Sequence, residues 1–187
     1  MGNARLRTRR GGIRAWESVK RDIVNHLRSD RTCVATTMVD YYGLPEAWPG
    51  RVRSKNLRSV EEKAACVEDA VRDDVVTEIG SSERFVPFIL MHEFEGLLFS
   101  DCAAFSRGIG RPDLEDGLRT IRGNFGTPEE INDSAETAPS KRVKNLLPGY
   151  EKPLFGVLAA LEIGLPRIRE ECPHFDGWLK QLESRAA

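Results

Sequence analysis

The strongest constraint on the fold is the stretch Phe85 to Asp101, FVPFILMHEFEGLLFSD. It opens with Phe85, Val86, Phe88, Ile89, Leu90 and Met91, an apolar run with no charge inside it. A run that short reads as a strand covered on both faces, as in a parallel sheet. Polarity then switches at His92, Glu93 and Glu95, and Phe94, Leu97 and Leu98 return at helical spacing. The expectation is a strand whose carboxyl end runs straight into a helix, the edge where ligands bind in open α/β sheets. On that helix His92 and Glu95 are three residues apart and share a face pointing away from the Phe94/Leu97/Leu98 stripe, with Gly96 leaving room for a close approach. Glu93 stands near the helix N-terminus, where the dipole favours a carboxylate. A plainer explanation covers the same residues: acids in a first turn complement the dipole without doing chemistry.

A second strand is written upstream. Cys33 to Val39, CVATTMV, is β-branched and uncharged and reads as an interior strand, with Asp40 at its carboxyl end. Between the two strands Val60, Ala64, Val67, Val71 and Val75 form the stripe of a helix over Ser59 to Ile79, with Ser59 as N-cap, Glu62 completing a capping box and Gly80 ending it. Trp16, Val19, Ile23 and Leu27 predict an earlier helix over residues 13–28, and Ala4 to Thr8 a short first strand. Residues 1–101 therefore alternate strand and helix, which predicts an α/β fold with a parallel sheet.

After Asp101 no strand pattern remains, and residues 102–187 read as a helical extension packed on that core. Its expected elements are Pro112 to Arg122, a helix start at Thr127-Pro128-Glu129-Glu130 with threonine as cap, Pro139 to Leu147, Leu154 to Ile163, Pro166 to Glu171 and Phe175 to Leu182, with Trp178 docking on the body.

The 187 residues suit one domain with a sizeable core. A net charge of −1 argues against a polyanion binder by bulk charge. The local cluster Arg5, Arg7, Arg9, Arg10 and Arg14 could meet phosphate or simply be a solvated terminus. The four cysteines are scattered without a C-x-x-C pair, so a zinc knuckle has no support, and Cys33 and Cys66 read as buried thiols. No signal peptide or membrane-spanning run is present, and the expectation is a cytoplasmic protein. Walker, dinucleotide-binding and nucleophile-elbow motifs are absent, which leaves serine or cysteine nucleophiles without a case.

The chemistry lies in the acids. If the strands ending at Asp40 and His92 are neighbours, Asp40, Glu93 and Glu95 converge on one edge. Mg²⁺ wants a few carboxylate oxygens and keeps its waters, and such an ion can polarise a phosphoryl oxygen. The alternative is that Asp40 only opens an Asx-turn over Tyr41-Tyr42-Gly43. Lys141, Arg142 and Lys144 form a basic cluster that could hold phosphates, and a lysine beside a metal could stabilise a leaving oxyanion. They are equally well read as a solvated helix face.

At TTMVDYYGLP (Thr36 to Pro45), FVPFILMHEFEGLLFSD, PSKRVKNLLPGYEK (Pro139 to Lys152) and CPHFDGWLKQLE (Cys172 to Glu183) the chain resembles an uncharacterised bacterial family of Toprim-like domains. These have the topoisomerase–primase fold and are related to OLD-type nucleases. The resemblance covers nearly the whole chain. It implies a Mg²⁺- or Mn²⁺-dependent role in cleaving or binding nucleic acid, in an anti-phage or DNA-repair setting beside an ATPase partner. By position it makes Asp40 and Glu95 metal ligands, places His92, Glu93 and Lys141 with them as catalytic residues, and gives Lys141, Arg142 and Lys144 to nucleic acid. Two departures accompany it. The second carboxylate of the family's Asp-x-Asp pair is replaced by Tyr42, and the opening strand ending in V-E-G-x-T-E, with its general acid/base glutamate, does not precede Arg5. The chain thus starts near the family's second strand, which argues for an impaired enzyme. The competing readings are a partner-binding module that keeps the fold without the chemistry, and a metal-dependent hydrolase of small phosphoesters.

Overall fold

The computed structural model describes residues 13–131 and 138–186. In chain order the elements are α1 (Trp16–Ser29), β1 (Ala35–Asp40), α2 (Arg51–Ser54), α3 (Val60–Ile79), β2 (Phe85–Leu90), a 3-10 helix (Phe94–Ser100), α4 (Cys102–Gly108), α5 (Glu115–Arg122), α6 (Pro139–Leu146), α7 (Lys152–Ile163), α8 (Leu165–Glu171) and α9 (Pro173–Ala186). Short 3-10 turns lie at Pro112–Leu114 and Pro128–Glu130. The strand expected at Ala4 to Thr8 falls outside the described residues.

The two strands are parallel neighbours, in register from Ala35 opposite Phe85 to Asp40 opposite Leu90, so both carboxyl ends lie on one edge. Helix α3 makes the crossover. Its start is as the sequence predicts: the Ser59 side chain accepts from the Glu62 N–H while the Glu62 carboxylate accepts from the Ser59 N–H. Left-handed Gly80 (φ 72°) ends it.

Strand β2 is buried along its whole length because it divides two apolar layers. Phe85, Ile89 and Met91 pack with Leu27 of α1 and Val67, Val71 and Val75 of α3. Phe88 and Leu90 turn to the other side, into a core with Leu98, Phe105, Ala159 and Phe175. The carboxyl-terminal helices thus supply one of the two faces of the sheet. Trp178 docks there as expected, stacked on Phe88 at 4.8 Å with its indole N–H donating to Thr36 Oγ1.

Among the described residues the outer edge of β2 is closed without a further strand. Ala35 and Tyr41 donate their N–H groups to Arg84 and Leu90, which fixes the alternation of the ladder. On β2 the outward positions include Pro87, which has no N–H, and Ile89, whose N–H donates to Glu68 Oε1 at 2.8 Å. One proline and one carboxylate therefore blunt an edge that would otherwise template pairing. The same Glu68 oxygen bonds His174 Nε2 at 3.0 Å. Replacing Glu68 with alanine is expected to cost about 1–3 kcal/mol in urea unfolding, because it orphans a buried N–H. Glu68→Gln keeps a carbonyl oxygen and should lose clearly less; equal losses would mean that the Ile89 bond contributes nothing.

Several expectations are corrected. Residues 92–98 are not one α-helix: Glu93 is extended (φ −68°, ψ 157°) and the helix that follows is 3-10. Glu95 to Ser100 are all buried while Phe94 is exposed, so the stripe of Phe94 with Leu97 and Leu98 and the polar face of His92 with Glu95 do not form. The segment is enclosed by α4, α6, α7 and α8, and enclosure rather than helical period decides what is buried. β1 is not an interior strand on the described sheet, since Thr36 and Met38 are exposed; its β-branched residues signal extended backbone, not depth. The Thr127 side chain makes no cap hydrogen bond; Glu130 reaches back to the Gly126 N–H, and the two oxygens of Glu129 accept the His174 and Phe175 N–H groups at the start of α9. Cys33 and Cys66 are half-buried, and the buried thiols are Cys102 and Cys172, which burial pushes up to about 11 and about 12.

Candidate functional site

Because the strands are parallel and adjacent, Asp40 ends β1 beside Leu90, and the chain leaving β2 carries His92, Glu93 and Glu95 along the same edge. What joins them is Lys152, the first residue of α7. Its ammonium lies 2.8 Å from Glu93 Oε1 and 3.4 Å from Glu95 Oε2. The second Glu93 oxygen accepts the Ser140 N–H at the start of α6, 3.0 Å away. Three segments distant in sequence are thus tied together by one carboxylate.

Three carboxylates share one ammonium, and their electrostatics differ accordingly. Burial alone would raise the Glu93 carboxyl, but the bonds from Lys152 and Ser140 outweigh it and hold the group below its usual range. Burial raises Glu95, and the charge of Glu93 adds to it, against only partial relief from a backbone hydrogen bond and Lys152. Burial likewise raises Asp40, and Glu93 adds to it, while the Tyr42 N–H and Lys152 pull the other way. Burial would lower Lys152, but its two glutamates more than compensate and keep it an ammonium. Three carboxylates thus face one lysine, and two of them, Asp40 and Glu95, are held above their usual range mainly by burial.

Asp40 answers both of the readings given to it. Its Oδ1 accepts the Tyr42 N–H at 2.9 Å, closing the Asx-turn, and its charge is felt by Glu93 and Lys152. Tyr42, standing where a second aspartate would be expected, is stacked on buried His92 with ring centroids 5.8 Å apart. Tyr150 completes the wall. It is buried, its hydroxyl has no hydrogen-bond partner among the described residues, and burial together with Glu95 and Glu93 keeps the phenol protonated. Phe94 and Tyr150 both meet α7 at buried Gly156, where a Cβ would touch the Tyr150 hydroxyl and the Phe94 ring at ordinary contact distances.

Of the residues expected at the site, Asp40, His92, Glu93 and Glu95 are brought together. The basic trio is not seen to join them. Ser140 brings the start of α6 to Glu93, but Lys141 and Lys144 are exposed and the Arg142 guanidinium lies over the Phe125 ring at 5.3 Å. Lys152, Ser140 and Tyr150 were missed. One signal for Lys152 was present: a lysine at the first position of a helix opposes the dipole, so anions must compensate it. Among the described residues no three His, Cys, Asp or Glu side chains form a group that could hold a metal ion.

Among the described residues no helix is long and apolar enough to cross a membrane. A family model described as a domain of unknown function (DUF4276) matches residues 2–183. No curated protein and no solved structure matches the chain.

Proposed function

The chain belongs to the family described as a domain of unknown function (DUF4276), and we propose, from the sequence resemblance and the acidic strand edge, that it is a Toprim-like domain acting on nucleic-acid phosphodiesters with a divalent cation. The observation that carries this reading is the Lys152 ammonium held between Glu93 and Glu95 at the carboxyl edge of two parallel strands, close enough to Asp40 for its carboxyl to feel the charges of Glu93 and Lys152. No three ligating side chains form a metal-holding group among the described residues, so an ion here would rest on two carboxylates, and Mg²⁺ takes one or two and fills its remaining positions with water and substrate phosphate. Asp40 and Glu95 would hold the ion, which when bound supplies Lewis-acid polarisation of the phosphoryl oxygen.

The remaining roles belong to the side chains themselves. Lys152, held protonated and aimed by Glu93, is the cation that meets a non-bridging or departing oxygen. Glu93 stays ionised to orient Lys152 and to anchor α6. The Tyr150 phenol is an uncommitted proton donor within the electrostatic reach of Glu95. A second reading is favoured by Glu93 being fully engaged: the Lys152 bridge would be only a clamp in a partner-binding module.

Asp40→Asn separates the two. The folded chain holds the Asp40 carboxyl above its usual range, so its stabilising protonated form is lost as pH rises through that raised value. Asparagine keeps the oxygen for the Tyr42 N–H and drops the charge. At neutral pH the variant should therefore melt higher than wild type, with the gain vanishing near about pH 3. In calorimetric titration it should lose the Mg²⁺ or Mn²⁺ binding of wild type. Equal binding by both proteins would make Asp40 structural and favour the clamp.

A further inference from the structure

Arg51, the first residue of α2, is a charged side chain only 8 % exposed. Its guanidinium carbon lies 4.1 Å from the centre of the Tyr41 ring. Its Nε and Nη1 are buried without a hydrogen-bond partner, and it makes no ion pair, among the described residues. Arginines usually carry their charge out to water along the stem, and those that stay buried are paired. A ring face attracts the cation but offers no acceptor to its in-plane N–H donors. The mount is rigid. The Arg51 N–H donates to the Trp48 carbonyl, and the buried Ser54 hydroxyl stands 2.9 Å from both the Arg51 carbonyl and the Tyr41 hydroxyl. One turn thus fixes the arginine and the ring beneath it.

The surroundings add positive charge instead of removing it. From Tyr41 to Ser59 the chain carries Arg51, Arg53, Lys55 and Arg58 against one acid, Glu46, which is exposed and engaged by Lys55. Arg53 donates its Nε–H to the Cys66 sulfur, not to a carboxylate. The segment also belongs to the acidic edge. It leaves β1 at Asp40, and α3, which follows it, opens with Val60 and Glu61, which line one small cavity with His92 and Glu93. Arg51, Tyr41, Tyr42 and His92 follow one another at 4.1, 5.4 and 5.8 Å.

We propose that Arg51 is an anion-binding residue whose ligand is a phosphate group, and that on a nucleic-acid strand this is a phosphate flanking the one at the acidic edge. The second clause rests on the function proposed above; the first does not. A planar fork of donors fits phosphate oxygens two at a time. The exposed Arg53 and Arg58 in the same segment favour a polyanion over a lone carboxylate.

Melting of the full chain in phosphate and in chloride at equal ionic strength tests the first clause. Wild type should gain stability with phosphate along a saturating curve. Arg51→Met keeps the stem and removes the charge. In chloride it should melt no lower than wild type, and in phosphate it should show only the gradual rise that an excluded salt gives any protein. Arg51→Lys, which keeps the charge without the fork, should need more phosphate for the same rise. Fluorescence anisotropy of a labelled single-stranded oligonucleotide, in EDTA so that no divalent ion takes part, tests the second clause. Arg51→Met should bind about tenfold more weakly, with a salt slope flatter by about 0.7. A wild type that responds to phosphate no more than to chloride, or an Arg51→Met variant that melts lower in chloride and keeps the saturating response, would overturn the proposal and make Arg51 a structural partner of Tyr41. A saturating response with oligonucleotide binding unchanged by Arg51→Met would support the anion site, with a small phosphate compound as its ligand, and overturn the strand clause. Oligonucleotide binding that depends on Arg51, in a chain that cleaves nothing with Mg²⁺ or Mn²⁺, would support this inference and sink the proposed hydrolysis alone.

Discussion

Gly50→Ala is expected to cost about 2–5 kcal/mol, from a left-handed backbone term of about 1–2 and an overpacking term of about 1–3. Gly50 sits at φ 75° just before α2. A Cβ there would stand 2.4 Å from the Cys66 carbonyl oxygen and 3.0 Å from both the Ala70 Cβ and the Val67 Cα. Those atoms belong to the middle of α3, which is pinned by the apolar layer beneath the sheet and cannot retreat. Gly80→Ala is the control. It has nearly the same φ, 72°, but nothing within 4 Å of the added carbon, so it should show the backbone term alone. Chemical denaturation of both variants isolates the collision, and equal losses would show that α2 can shift away from α3.

If the proposed phosphodiester chemistry holds, Lys152→Met is expected to slow that hydrolysis by about 10²–10³-fold, the usual cost of removing one group aimed at developing charge. Methionine keeps the length and the apolar packing of the stem while deleting the ammonium between Glu93 and Glu95. Stability should fall far less, by about 1 kcal/mol, because the lysine side chain is 39 % exposed and solvent already screens the pair. A second readout does not depend on turnover: without Lys152 the Glu95 carboxyl should move further above its usual range, measurable by NMR titration of its side-chain carbon. If hydrolysis is untouched and Glu95 titrates as in wild type, Lys152 is neither catalytic nor a neighbour that Glu95 feels.

The fold was legible where one local rule dominates. The apolar run Phe85 to Met91 could only be a strand covered twice, and the Ser59/Glu62 box fixed the start of α3 to the residue. Asp40 and Glu93 could be placed on one edge because parallel strands share their carboxyl ends. Legibility failed where burial is decided by partners far along the chain. Nothing local says that Glu95 turns inward, since its lysine arrives 57 positions later. Nothing local says that Glu129 will cap a helix beginning at Pro173 instead of its own turn. Lys141 and Lys144 stand exposed on α6, whose start meets Glu93 through Ser140, and their expected role toward phosphate stays a proposal.

β2 acts as a party wall between two cores, and this has a bearing on what the site requires. Asp40 belongs to the room on one side, Lys152 and Ser140 to the room on the other, and Glu93 to the doorway at the end of the wall. Neither room holds a working constellation by itself. The acids have Lys152 as their counter-ion only where the carboxyl-terminal helices pack over Phe88, so the constellation exists only in a chain whose two layers are both in place.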